Sequence, residues 1–221
     1  MAAVQDIQFL PIDILSSGTR WLVGWGIGSI VAFLFNVIFY SRLSRSIRVS
    51  IIVDFLRSIP ILAIVPLTLY YFGAWEYSKF FIIAWSSFFP VLVATRATLA
   101  LPNADQDAFI AGFHLGFWRL LRIQILPKLL FGLVSGMRVA IGVAWISVIA
   151  AEMLGIYSTS TLNGGLGYRL YQFYDNGNLI GMLIYVLIFG LLGVLSAFAF
   201  QAAVSRVLAP VGYVGLTHAF R

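Results

Sequence analysis

The sequence predicts an all-α, polytopic bundle of about five membrane-spanning helices, and three observations carry that expectation. Charged residues make up 10% of the 221-residue chain and hydrophobic residues 61%. A soluble domain carries about 25% charged residues, so this chain has too little polar surface to cover a globule in water. Apolar stretches of spanning length, roughly 20 residues, recur five times. Basic residues gather in alternate connections between those stretches, as the positive-inside rule requires of a multi-pass protein.

Residues 1–18 are expected to form an extracytoplasmic leader. They carry Asp6 and Asp13, no Lys or Arg, and no unbroken apolar run, so they lack the features of a secretory signal. The spans are expected at Trp21–Tyr40, Ile51–Phe72, Phe80–Leu101, Leu129–Leu154 and Leu179–Leu208. They place the transmembrane domain at 19–210 and a cytoplasmic tail at 211–221. The first connection holds Arg42, Arg45 and Arg48, the third Arg119, Arg122 and Lys128, and the tail Arg206 and Arg221. The second has one Glu and one Lys around Gly73–Lys79, and the fourth sets Arg169 against Asp175. Connections one and three and the C-terminus are therefore expected in the cytoplasm, and the N-terminus outside. The net charge of +6 then reports topology and contact with anionic lipid rather than nucleic acid. The absence of cysteine excludes disulfides and thiolate metal sites.

Within the fourth span Gly132, Gly136, Ala140 and Ala144 recur every fourth residue. Such a stripe lets another helix approach closely, in this chain or in a second copy, because packing rather than hydrophobicity joins helices in lipid. Pro60, Pro66 and Pro90 sit inside apolar runs. Each removes a backbone donor and tends to kink its helix.

Between the third and fourth spans lies a polar, helix-like segment, Asn103–Pro127. Asn103 with Gln106 matches a capping box, Asp105 and Asp107 fall in the first turn, and Arg119 and Arg122 follow later, complementing the helix dipole. Phe109, Phe113, Gly116 and Leu120 share one face; Ala111, His114 or Leu115, Trp118 and Arg122 share another. Two readings stand. The segment rests on the membrane as an interfacial helix, or its second face docks a soluble partner that covers Trp118.

Ionisable residues inside apolar runs are expensive and mark functional candidates. Asp54 and Arg57 are spaced to pair on one helix. Arg96 lies near the cytoplasmic end of the third span, where it can snorkel. Arg138 is deep in the fourth span and Glu152 near its outer end. Structural ion pairing is the rival reading for each of them. An excess of buried cations would suit an anionic solute. Gly164, Gly165 and Gly167 follow no strand and read as an outer-face turn rather than a dinucleotide fingerprint. No G-x-x-x-x-G-K-[ST] run occurs, so any ATP site belongs to another chain. His114 and His218 have no partners at metal-ligand spacing, and no metal is expected. No Ser, His and acid constellation points to hydrolysis, which leaves an enzyme as the weakest class.

Four pieces now align: DFLRSIP at Asp54–Pro60, ILP at Ile125–Pro127, AWISVIAAEMLG at Ala144–Gly155 and GGLGY at Gly164–Tyr168. Their order and spacing are more specific than any one of them. From about Thr19 to Leu208 the chain resembles the integral membrane permease subunits of binding-protein-dependent ABC importers, most like the nitrate, sulfonate, taurine and bicarbonate group. The resemblance implies that Asn103–Pro127 is the coupling helix that docks on an ATPase, with Asp107, Ala108, Gly112, His114, Leu115, Gly116, Trp118, Arg119, Leu126 and Pro127 in the contact. Counting back from Pro127, Ala108 and His114 stand where the family pattern has Glu and Gly. Asp107 offers an acidic start shifted by one residue, and Gly112 and Gly116 flank the expected glycine. Many members of the group have an extra leading span, which Met1–Ser17 is too short and broken to supply.

The resemblance further implies a translocation pathway touching Arg57, Ser58, Arg138, Trp145 and Glu152. It implies two ATPase subunits carrying ATP and Mg, a second permease, an extracytoplasmic binding protein, and no cofactor on this chain, in a bacterial-type inner membrane. The alternatives are a permease for an amino acid, quaternary amine or vitamin precursor, and a non-transporting membrane assembly protein.

Overall fold

A computed structural model describes residues 9–39, 47–73, 75–100, 119, 125–153 and 164–208. The described residues form helices α1 (Leu10–Ile38), α2 (Ile47–Arg57), α3 (Ile61–Phe72), α4 (Glu76–Ala100), α5 (Leu126–Met153), α6 (Leu166–Asp175) and α7 (Leu179–Leu208), with no strand among them. Four of these, α1, α4, α5 and α7, are each long and apolar enough to cross a membrane. The expected third, fourth and fifth spans correspond to α4, α5 and α7.

The expected second span, Ile51–Phe72, is two helices. The axes of α2 and α3 meet at 82° across a short break. Pro60 explains the break: it has no amide hydrogen to continue the ladder, and it drives the preceding residue out of helical geometry. The last turn of α2 tightens instead. The Ser58 amide donates to the Asp54 carbonyl at 3.3 Å and the Phe55 carbonyl at 3.1 Å, and the Ser58 hydroxyl donates to Asp54 O at 2.7 Å. Pro66 and Pro90, by contrast, lie inside continuous helices. Counting the bent pair as one crossing gives five spans.

The first helix also differs from expectation. It begins at Leu10 rather than Trp21, and Leu10 and Ile14 pack against the core. Pro11 sits in its first turn, where a missing donor costs nothing and a fixed φ favours helix. Asp13 in the same turn complements the dipole.

The α4–α5 pair forms the centre, and α1 crosses both. The small residues of α5 face α4. A Cβ on Gly132 would overlap Thr95, and one on Gly136 would stand 2.5 Å from Val91 Cα; Ala140 and Ala144 are fully buried. The neighbour of this part of the stripe is therefore in the same chain. A second stripe, Gly24, Gly28, Ala32 and Asn36, is buried on α1. A Cβ on Gly24 would be 2.6 Å from Ile83 side-chain atoms, and one on Gly28 would overlap the Ala84 carbonyl. Asn36 Nδ2 donates to Leu92 O at 3.3 Å.

Aromatic rings lock the remaining faces. Trp21 stacks between Trp25 and Trp145, with centroids 5.4 and 5.3 Å away. Trp145 meets Phe189 edge-on at 6.0 Å, and Trp25 meets Phe200 at 5.6 Å, which brings in α7. The Trp21 and Trp25 indoles donate to Ile141 O (3.3 Å) and Met137 O (3.1 Å). In lipid such contacts matter more than apolar burial, because hydrocarbon outside is as apolar as the core.

Candidate functional site

Two features stand out of this scaffold: a polar network at one end of the bundle and a cleft at the α2–α3 break.

The network is built on one stripe of α1. Asp13, Ser17 and Arg20 lie on the helical face that continues into Gly24 and Gly28, and all three are buried. Glu152, 0% exposed at the end of α5, accepts from Ser17 and Arg20. The Ser17 hydroxyl lies 2.8 Å from both carboxylate oxygens, and Arg20 Nη1 donates to Oε1 at 2.8 Å. The Gly167 amide donates to Oε2 at 2.8 Å. Ser17 Oγ in turn accepts the Leu166 amide at 2.8 Å. These two amides open α6, so Ser17 and Glu152 together cap that helix and satisfy donors that would otherwise be orphaned. Gly165 (φ 83°) has the left-handed conformation glycine tolerates, and a Cβ there would overlap the Glu152 carboxylate.

Arg20 bridges to the start of α4. Its Nε and Nη2 form a two-pronged pair with Glu76, both bonds 2.8 Å, and Lys79 Nζ joins Glu76 at 2.7 Å. Nearby, Arg169 Nε and the Tyr185 hydroxyl donate to Asp13 Oδ2 at 3.3 and 3.2 Å, tying α6 and α7 to α1. Formal charges balance: Arg20 and Lys79 against Glu76 and Glu152, Arg169 against Asp13. Buried charges persist when paired and hydrogen-bonded in this way.

The cleft has a volume of about 760 Å³. Its walls come from the α2–α3 turn (Arg57 to Ile61), one face of α4 (Trp85, Ser86, Phe89, Pro90, Val93, Ala94) and Val139 and Val143 of α5. Arg57 is the one charged residue among them. Its Nε pairs with Asp54 Oδ1 at 3.0 Å, the pairing expected from their spacing, and both side chains are half exposed.

The residues expected on a translocation pathway therefore separate. Arg57 and Ser58 line the cleft. Arg138 is exposed on α5, next to the cleft residue Val139. Trp145 is buried in the aromatic stack, with Nε1 donating to Ser196 Oγ at 3.0 Å. Glu152 is consumed by the network. Neither Trp145 nor Glu152 reaches the cleft, because ring packing and ion pairing hold them elsewhere. The network also holds the buried cations Arg20 and Lys79, whose carboxylate partners are Glu76 and Glu152.

Of the expected docking residues, Asp107, Ala108, Gly112, His114, Leu115, Gly116 and Trp118 lie outside the described residues. Arg119 is helical and exposed. Leu126 and Pro127 form the first turn of α5, so Pro127 opens this helix rather than closing the preceding segment. Among the described residues no group of three or more His, Asp or Glu could hold a metal ion.

Sequence reasoning overlooked Asp13, Ser17, Arg20, Glu76 and Lys79. A signal was present for α1: spacings of four and three place 13, 17, 20 and 24 on one face. Their partners, up to 135 residues away in the case of Glu152, left no local trace.

The described residues form a helical bundle with four single-helix candidate spans and one broken span, the architecture of a multi-pass membrane protein. The chain belongs to the binding-protein-dependent transport system inner membrane components, whose family pattern matches residues 24–209. A putative ABC transporter permease of Methanocaldococcus jannaschii is 33% identical over 176 residues, which cover 79% of this chain and 63% of the relative. A putative aliphatic sulfonates transport permease of Bacillus subtilis is 31% identical over 163 residues (73% and 55%). A nitrate import permease of Synechococcus elongatus is 24% identical over 205 residues (91% and 71%). The chain thus spans somewhat over half the length of the first two of these relatives.

Proposed function

We propose that this chain is a permease subunit of an ATP-driven ABC importer and forms half of the translocation pathway for a small anion delivered by a binding protein. The observation that carries the reading is the family match over residues 24–209, supported by relatives whose names specify sulfonate and nitrate transport. Arg57 and Ser58, in a cleft where a spanning helix is broken, supply a polar lining to that pathway. Discontinuous helices recur at transporter binding sites, because broken backbone is tolerated only where it lines a cavity or is buried in protein.

Membership of the family supports the remaining parts of the reading. A second permease completes the pathway. Two ATPase subunits carry ATP and Mg. The Asn103–Pro127 segment docks on one of them, with Trp118 and Gly116 in the contact. Positive-inside alternation supports a cytoplasmic position for that segment and an external N-terminus. The chain itself performs no covalent chemistry. The test is substitution of Trp118 or Gly116 by glutamate in the purified complex. ATP hydrolysis should uncouple from uptake, or the ATPase should dissociate. Unchanged co-purification together with unchanged uptake would contradict docking at this segment.

A further inference from the structure

Helix α6 is joined to the polar network in a way the long helices are not. Leu166 and Phe173 are buried and Leu170 packs beside them against the core, all three on one face. The first turn is held from outside. Ser17 Oγ accepts the Leu166 amide and Glu152 Oε2 the Gly167 amide, each at 2.8 Å, and Arg169 Nε donates to Asp13 at 3.3 Å. Just before the helix, Gly164 O accepts from Arg20 at 3.2 Å. Gly165 and Gly177, with φ of 83° and 66°, flank it on either side. Glycine turns freely at such positions, and residues at element ends that absorb backbone rotation act as hinges.

Undocking α6 would leave each charged group with a partner. Glu152 keeps Arg20 and Ser17, Asp13 keeps the Tyr185 hydroxyl, and Arg169 keeps Gln172 Oε1 of its own helix at 3.0 Å. The freed Leu166 and Gly167 amides belong to a first turn, where water can replace a cap. Withdrawing α1 or α5 would instead part Arg20 from Glu152, and separating a buried pair is far more costly. The Arg20–Glu76–Lys79 and Arg20–Glu152 pairs join α1, α4 and α5 without any help from α6.

We infer that α6 is a hinged latch: it docks on α1 and the end of α5 as one unit and releases about Gly165 and Gly177, while the ion pairs beneath it stay closed. The latch follows from these contacts. Its use, gating the end of the pathway where the network lies, rests on the permease reading.

The experiment has two arms. In the first, amide hydrogen exchange is followed on the full-length chain in lipid nanodiscs. Arg169→Gln removes a hydrogen bond to a carboxylate and should speed exchange across Leu166–Asp175 by roughly 10- to 150-fold. Exchange in α1, α4 and α5 should not change, and Arg169→Lys, which keeps the charge, should have a smaller effect. Unchanged exchange in α6, or equal acceleration of α1 and α5, would overturn the inference. In the second arm, an Asp13→Cys, Arg169→Cys pair is bridged by a short bis-methanethiosulfonate reagent. The natural chain has no cysteine, so the bridge forms only there. Locking α6 should stop ATP-driven uptake by the reconstituted complex, and reductant should restore it; full uptake with α6 locked would overturn the gating role and leave the permease. No uptake by the unaltered chain would remove the permease and leave the latch, which the exchange arm tests without ATP or partners.

Discussion

Replacing Glu152 by alanine should be among the most destabilising single changes in this chain, and the contacts set its size. The carboxylate is fully buried and accepts from Ser17, Arg20 and the Gly167 amide, each at 2.8 Å. Removing one partner of a buried ion pair costs about 3–5 kcal/mol, because the other charge stays buried. Arg20 keeps its Glu76 fork and a 3.2 Å bond to Gly164 O, which favours the lower half of that range. Against this, the Gly167 amide loses a charged acceptor at the start of α6. An unsatisfied buried donor costs about 1–3 kcal/mol. A total near 4 kcal/mol is expected, read by SDS-driven unfolding of the purified chain in mixed micelles. Arg20→Met combined with Glu152→Leu should recover much of the loss, since paired apolar replacement of a buried ion pair is often nearly neutral. A Glu152→Ala change below about 0.5 kcal/mol, or strict additivity of the Arg20 and Glu152 single variants, would refute the reasoning. Contacting residues in one network should couple by about 0.5–3 kcal/mol.

Gly136→Ala would press a methyl against Val91 Cα at 2.5 Å and should cost about 1–3 kcal/mol of stability in the same assay. Gly142→Ala, which meets nothing within 4 Å, should be neutral or stabilising by up to about 1 kcal/mol. Trp145→Phe removes the 3.0 Å bond to Ser196 and should cost about 1 kcal/mol while leaving anion affinity unchanged, because Trp145 lies outside the cleft. Tyr185→Phe loses a 3.2 Å bond to the Asp13 carboxylate and should cost about 1.5 kcal/mol, as for hydrogen bonds to charged groups.

The spans at α4, α5 and α7 were legible because length and apolarity alone identify a helix in lipid. The α5 stripe was legible because small residues at spacing four are a local pattern. The α2–α3 break was not, since both halves are apolar and a proline within a span either kinks or is absorbed. Pro60 breaks its helix, whereas Pro66 and Pro90 do not. The early start of α1 was hidden because Asp13, Ser17 and Arg20 depress hydropathy where the helix is in fact buried. Helix α6 was missed for a related reason: ten residues after a glycine turn are too short and too polar to register as a span. Arg57 and its pairing with Asp54 followed from spacing three. Trp85 and Phe89, by contrast, gained significance only when the bend brought the α2–α3 turn over α4.

The central claim is that this chain is half of an ATP-powered anion pathway. Proteoliposomes holding the chain with the proposed second permease, ATPase and binding protein test it most directly, by uptake of labelled anion with and without ATP. The account predicts uptake that requires ATP, binding protein and this chain together, and that falls sharply with Arg57→Gln. Equal uptake without ATP, or full uptake when this chain is omitted, would contradict it.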